Sequence, residues 1–124
     1  MARYFKNAEM ACKCKCGLCI LDDRLMSTLD AIRDAAGAPV EITSGCRCTK
    51  HNAKVGGVKS NNTVPKRGEA GGPGDSNHTR GAAADIKCAA LGPDGLYSLI
   101  MVLHRVGSLP YLAGIGRYDA FVHV

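Results

Sequence analysis

Ser76-Asn77-His78-Thr79-Arg80-Gly81-Ala82-Ala83-Ala84-Asp85 holds an imidazole near one end and a carboxylate at the other, with a glycine and three alanines among the residues between. Ala82, Ala84 and Ile86 alternate with Ala83, Asp85 and Lys87, so 82–88 reads as a strand whose small side chains let another element approach closely. His78 and Asp85 can then converge as half of a metal site. The other half must come from elsewhere in the chain, and His123 is the candidate. Two histidines and one carboxylate are the ligand set of many catalytic zinc sites, in which a fourth position stays open for water. A metal held this way brings the pKa of that water to about 7 and polarises a carbonyl, as amide hydrolysis requires.

Working outward, 58–75 is rich in Ser, Asn, Pro, Gly and charge. Such a composition buries too little apolar area to order itself strongly, and a long exposed loop running into His78 is expected. Before it, 47–55 suggests a short helical turn, and 39–44 a strand with Val40 and Ile42 on one face. Leu21 to Ala36 reads as a helix: Asp22 or Asp23 can cap it, Leu25, Leu29 and Ile32 share a face, and Gly37 stops it. Downstream, Pro93 opens a second helix to about Val106, with Leu96, Ile100 and Leu103 on one side. A hairpin of 112–116 and 120–124 about a turn at 117–119 closes the chain. Two main helices and a small antiparallel sheet make an α+β fold, and 124 residues suit a single domain, 1–124, with 1–20 as a cysteine-rich N-terminal segment.

Composition narrows the function classes. Hydrophobic residues make up 46% of the chain and aromatics only 5%, with no Trp, so the core is expected to be aliphatic. The net charge of +5 comes from Lys and Arg scattered from Arg3 to Arg117 without interleaved aromatics. That favours an anionic environment without pointing to nucleic acid. No signal peptide and no membrane-spanning stretch are visible, and a monomer is expected.

Several stretches, taken in order, resemble one family. They are Tyr4-Phe5, the helix from Leu21, Ser44-Gly45-Cys46-Arg47-Cys48 with His51-Asn52, Val55-Gly56-Gly57, Ser76-x-His78 with Gly81-x-Ala83-x-Asp85, Gly114-Ile115-Gly116-Arg117-Tyr118, and Phe121-Val122-His123-Val124. Together they look like the zinc D-Ala-D-Ala carboxypeptidase family, whose members include bacterial carboxypeptidases and phage endolysins. The resemblance implies the DD-peptidase fold shared with the hedgehog signalling domain, one catalytic zinc ion, and hydrolysis of peptidoglycan stem peptides at the bacterial cell wall or in the periplasm.

Carried over by position, the resemblance makes His78, Asp85 and His123 the metal ligands. Arg47 matches an arginine that holds a substrate carboxylate, a role suited to the guanidinium fork. Read without the motif, Arg47 is a surface salt-bridge residue. Ser76, two residues before the first ligand, would bind substrate or an outer-shell group. Asp119 is the acid nearest His123 and the candidate catalytic base. In a straight strand four residues span about 13 Å, so the chain must turn or bulge for Asp119 to serve, and the alternative is a hairpin-turn aspartate. His51 is expected to cap or hydrogen-bond around its turn, and His104 to be structural.

Three departures from the family pattern stand out: the longer loop between Gly57 and Ser76, Cys46 in place of a tyrosine, and an end at Val124 where relatives continue with Asp. They motivate an alternative, a non-catalytic zinc-containing module on the same fold that binds wall peptide or protein. Seven cysteines cannot all pair within one chain. Cys16 and Cys19 with Cys46 and Cys48 could hold a second, structural zinc, or the N-terminal thiols could form disulfides with Cys46, Cys48 or Cys88. On either reading the cysteines pin the N-terminal segment to the loop bearing Arg47. A cysteine-zinc structural domain with no histidine site is the third reading.

Overall fold

The computed structural model describes residues 4–124. A single helical turn, α1 (Asn7–Met10), leads through the cysteine-rich segment into α2 (Asp23–Ala36). Asp22 caps α2 by accepting from Arg24 N and Leu25 N, and Gly37 ends it in the left-handed region with φ +62°. Leu25, Leu29 and Ile32 are buried along one side, as their spacing predicts. After β1 (Glu41–Ser44) comes the short helix α3 (Thr49–Lys54), then the long loop, a 3₁₀ turn (Asn77–Arg80) and β2 (Asp85–Lys87). The second long helix, α4 (Gly92–Arg105), and a hairpin of β3 (Gly116–Arg117) and β4 (Val122–His123) complete the chain.

All neighbouring strands are antiparallel, in the order β1-β2-β4-β3. Helix α4 packs on β2, β3, β4 and α2, and Arg117 Nε pairs with Asp94 Oδ1 at 3.2 Å to tie β3 to α4. Ile42, Ala84, Ile86 and Val122 meet Leu29, Ile32, Leu96 and Ile100 in an aliphatic core that also takes in Met10 and Cys88. The α+β architecture, a small antiparallel sheet with two main helices, is the one the sequence predicts. Among the described residues no helix is long and apolar enough to cross a membrane.

Two local differences have physical reasons. The first hairpin strand is Gly116–Arg117 rather than 112–116, so Arg117, expected in the turn, belongs to the strand. Pairing of Gly116 with His123 and Arg117 with Val122 leaves Tyr118 to Phe121 as the turn, closed by Tyr118 N to Phe121 O at 2.9 Å. In β1 the register shifts between Ile42 and Ser44, so Ser44 rather than Thr43 lies opposite Asp85.

The 58–75 loop has no regular secondary structure but is tied down by polar groups. Asp75 accepts from Ser60 N (2.9 Å), Thr63 Oγ1 (2.9 Å) and Gly72 N (3.0 Å). Its two ends meet where Ser76 N donates to Val58 O at 2.8 Å. Thr49 N and Oγ1 bind the carbonyls of Glu69 and Lys66, laying the loop against α3.

The sulfurs gather differently from the set Cys16, Cys19, Cys46 and Cys48. The Sγ atoms of Cys12, Cys14, Cys16 and Cys48 lie within 4.8 Å of one another, while Cys19 donates to Asn7 O and Cys88 sits in the core. Positive φ at Lys15 (64°) and Gly17 (90°) folds the knuckle back on itself and brings the alternate cysteines together. Burial pushes the Cys12 thiol up to about 12. At Cys48 burial is outweighed by backbone N–H groups of Gly68 and His51, and the thiol falls to about 7.

Candidate functional site

The sheet and one tight turn assemble the three predicted ligands. Asp85 and His123 are direct partners across β2 and β4, which places their side chains on the same face. His78 arrives from the 3₁₀ turn. Ser76 Oγ caps that turn by accepting from His78 N at 3.3 Å, and Gly81 ends it at φ +68°. A side chain at Gly81 would also run into the Ile20 carbonyl at 2.3 Å.

Donor atoms converge closely. His78 Nε2 lies 3.4 Å from Asp85 Oδ1 and 3.3 Å from His123 Nδ1, and His123 Nδ1 lies 2.9 Å from Asp85 Oδ1. The opposite ring nitrogen, His78 Nδ1, is 2.7 Å from Gly45 O. A carbonyl can only accept, so Nδ1 carries the proton and the Nε2 lone pair faces the other two ligands. Four tetrahedral ligands about 2.0–2.1 Å from a zinc ion are separated by about 3.3 Å, close to these spacings. The donor set therefore fits zinc in both chemistry and size. Burial pushes the Asp85 carboxyl up, but the imidazoles of His123 and His78 beside it outweigh burial and hold the group well below the ordinary carboxylate range. It is an anion wherever the protein is folded at ordinary pH.

Gly45 makes this arrangement available. A Cβ there would stand 2.8 Å from Met10 Cα and Met10 O, so only glycine lets the loop after β1 pass α1 and present its carbonyl to His78. The same loop is held by Cys46 N to Met10 O (2.7 Å) and Arg47 N to His78 O (2.9 Å).

Arg47 is buried, which rules out a surface salt bridge. Its Nη2 lies 3.8 Å from Asp85 Oδ2 and its Nη1 donates to Asn52 Oδ1 at 3.2 Å. Among the described residues, Arg47 Nε is the one buried side-chain nitrogen or oxygen without a partner. Burial pulls the guanidinium below its ordinary value while Asp85 opposes the shift, so it stays a cation.

Arg47, Ser76 and all three ligands line an open cleft of about 820 Å³. Lys13, His51, Tyr118 and Phe121 also border it, and the last two rings stack at 4.8 Å between centroids. Burial first, then Arg47 and Lys54, lowers the His51 pKa, leaving a neutral imidazole at neutral pH. Asp119, at the exposed hairpin turn, is not among the lining residues, and His104 is exposed on α4. Sequence reasoning passed over Tyr118, Phe121 and Lys13. The two rings flank Asp119 in the turn before His123, and that placement was the available signal. A second cleft of about 520 Å³, bordered by Arg24, Arg80 and Tyr111, shares His123 and Asn77 with the first, so open surface flanks His123 on both sides.

Neither the curated proteins nor the solved structures contain a match to this chain. The sequence model of the family described as Peptidase M15 matches residues 3–70, which is more than half of the 124 residues and includes the knuckle, α2, β1 and Arg47. With an α+β fold and a donor set that fits zinc, the chain belongs to the zinc D-Ala-D-Ala carboxypeptidase family, peptidase M15.

Proposed function

We propose that the protein is a zinc-dependent peptidase that hydrolyses peptidoglycan stem peptides, as a carboxypeptidase or an endopeptidase of the endolysin type. The observation that carries this reading is the convergence of His78 Nε2, Asp85 Oδ1 and His123 Nδ1 on one wall of an open cleft. Zinc bound there would polarise the scissile carbonyl and make water nucleophilic at neutral pH. Gly45 O keeps the His78 lone pair aimed at the ion, and Arg47, which lines the cleft beside Asp85, supplies a fixed positive charge for a substrate carboxylate. Lys13 adds positive charge on the same side, while Tyr118 and Phe121 supply an apolar surface for a peptide. Ser76 acts by capping the turn that carries His78. Asp119 is the proposed proton acceptor, being the one carboxylate in 112–124, and the role requires its turn to fold over bound peptide. The substrate puts the site of action at the bacterial wall or periplasm, for a protein of phage or bacterial origin.

A binding module without catalysis is the second reading, and the acids bordering the cleft favour it. They are Asp85, which faces the metal, and Asp75, whose oxygens are taken up by three hydrogen bonds. Zinc-loaded protein incubated with purified peptidoglycan, with released fragments identified by mass spectrometry, separates the two. Fragments that disappear with His78→Ala and with His123→Ala establish the peptidase and name the bond. Binding without release supports the module.

A further inference from the structure

We propose that Cys12, Cys14, Cys16 and Cys48 form a second, four-thiolate zinc site that fastens the N-terminal knuckle to the loop carrying Arg47. Their sulfurs all lie within 4.8 Å of one another, with Cys14 Sγ 3.4 Å from Cys12 Sγ and 3.6 Å from Cys48 Sγ. Sulfurs about 2.3 Å from a zinc ion at tetrahedral corners stand about 3.8 Å apart, so the two short contacts match a thiolate cage and the remaining pairs need close by no more than about 1 Å. A disulfide instead joins two sulfurs at about 2.05 Å, whereas Cys14 Sγ touches two neighbours at once.

The backbone is shaped for this cage. In an extended strand the first and last of three alternate cysteines would sit about 13 Å apart. Here Lys15, at φ 64°, and the bond from Lys15 N to Cys12 O at 3.1 Å wrap the chain so that all three sulfurs face inward. Cys48 then reaches them from a segment far along the chain.

Backbone amides point at two of the four sulfurs. Cys48 N donates to Cys12 Sγ at 3.3 Å and His51 N to Cys48 Sγ at 3.4 Å, the amide contacts that thiolates accept. Four thiolates around a divalent ion carry two net negative charges. Lys13 and Lys15 belong to the knuckle, and the Arg67 guanidinium docks on it through the carbonyls of Cys14 (3.5 Å) and Lys15 (3.2 Å). Cys12 and Cys48 are buried and Cys14 and Cys16 half-buried, and four thiolates would fill all four tetrahedral positions. A closed sulfur set of this kind suits a structural zinc ion. Its ligand Cys48 directly follows Arg47 and caps α3, and the knuckle presents Lys13 to the cleft, so the ion would fix both cations that border the peptide site.

The inference is independent of the peptidase reading. Protein purified under reducing conditions should contain two zinc ions per chain. Cobalt-loaded protein should show intense thiolate-to-cobalt charge-transfer absorption, which two histidines and a carboxylate cannot produce. Cys14→Ser combined with Cys16→Ser should remove that absorption and one metal ion, whereas His78→Ala should keep the absorption and lose the other ion. Should the double serine variant fail to fold, titrating the wild type with an organomercurial gives an equivalent readout, release of one zinc as the thiols react. Absence of the charge-transfer band in the wild type, its loss in His78→Ala, or a disulfide between any two of these four sulfurs in anaerobically purified protein overturns the proposal.

Discussion

Asp85 and His123 face each other across the β2–β4 ladder, and their side chains meet at 2.9 Å. Strand pairing sets this contact, so the carboxylate can be neutralised without moving its neighbour. Asp85→Asn keeps the size of the side chain and removes the anionic donor. It should weaken zinc binding at this centre by more than the roughly 10–100-fold that loss of an outer hydrogen-bond partner costs, and hydrolysis should go with it. Elemental analysis with circular dichroism checks this; a fully loaded, active variant would show that Asp85 is not a ligand.

Arg47→Lys preserves the charge but not the fork that reaches Asp85 and Asn52 and that is proposed to hold a substrate carboxylate. The kcat/KM on a stem-peptide substrate should fall roughly 10–100-fold with zinc content unchanged. Equal kcat/KM in the two proteins would remove Arg47 from substrate binding.

Asp119→Asn tests the proton acceptor. The kcat should drop by roughly 100-fold or more while KM and zinc content hold, within the usual contribution of a general base. An unchanged kcat would move the assignment to His51, which already borders the cleft as a neutral imidazole.

Gly45→Ala forces a methyl to within 2.8 Å of the Met10 backbone. Destabilisation of about 1–3 kcal/mol is expected from overpacking, read by urea unfolding. Zinc affinity should fall as well, because the displaced carbonyl is the one that orients His78. Full stability with full affinity would mean that α1 moves aside freely.

Asp22→Ala removes the cap of α2 and should cost about 1 kcal/mol at neutral pH. The Arg24 side chain chiefly, and the backbone N–H groups of Leu25 and Arg24, hold the Asp22 carboxyl below its ordinary value against a smaller opposing effect of burial. With the folded value below the unfolded value of about 3.9, the charged cap contributes fully above that pH and fades as pH falls through the folded value. Urea unfolding of both proteins should therefore show the gap narrowing under acid conditions. A gap that stays constant into strong acid would assign the effect to something other than the carboxylate.

What could be read from the chain depended on how local the deciding physics was. Leu25, Leu29 and Ile32 with Asp22 and Gly37 define α2 from neighbours in sequence, and Leu96 with Ile100 does the same for α4. Arg117 looks like a turn residue; what places it in a strand is the partner β4. The candidate ligands His78, Asp85 and His123 could be named from their motifs, but the Gly45 carbonyl that orients His78 leaves no mark beyond a glycine. Order in the 58–75 loop comes from one buried carboxylate, two threonine hydroxyls and backbone donors, which composition does not register. The cysteine grouping turns on the conformation of Lys15, and spacing alone permits several other sets.

The bond between Val58 and Ser76 closes the long loop at its neck. Whatever lies between those two residues, the chain re-enters the cap of His78 from the same point. Closing a longer loop adds little entropy cost, roughly 0.6 kcal/mol per doubling of length. The insert thus behaves as an exchangeable cassette: its rim, at Val58 and Asp75, borders the cleft, while its length is decoupled from the spacing of the donor atoms. On the proposed peptidase reading, peptide selection and bond cleavage can diverge separately, since the neck that closes the loop lies outside the three donor residues.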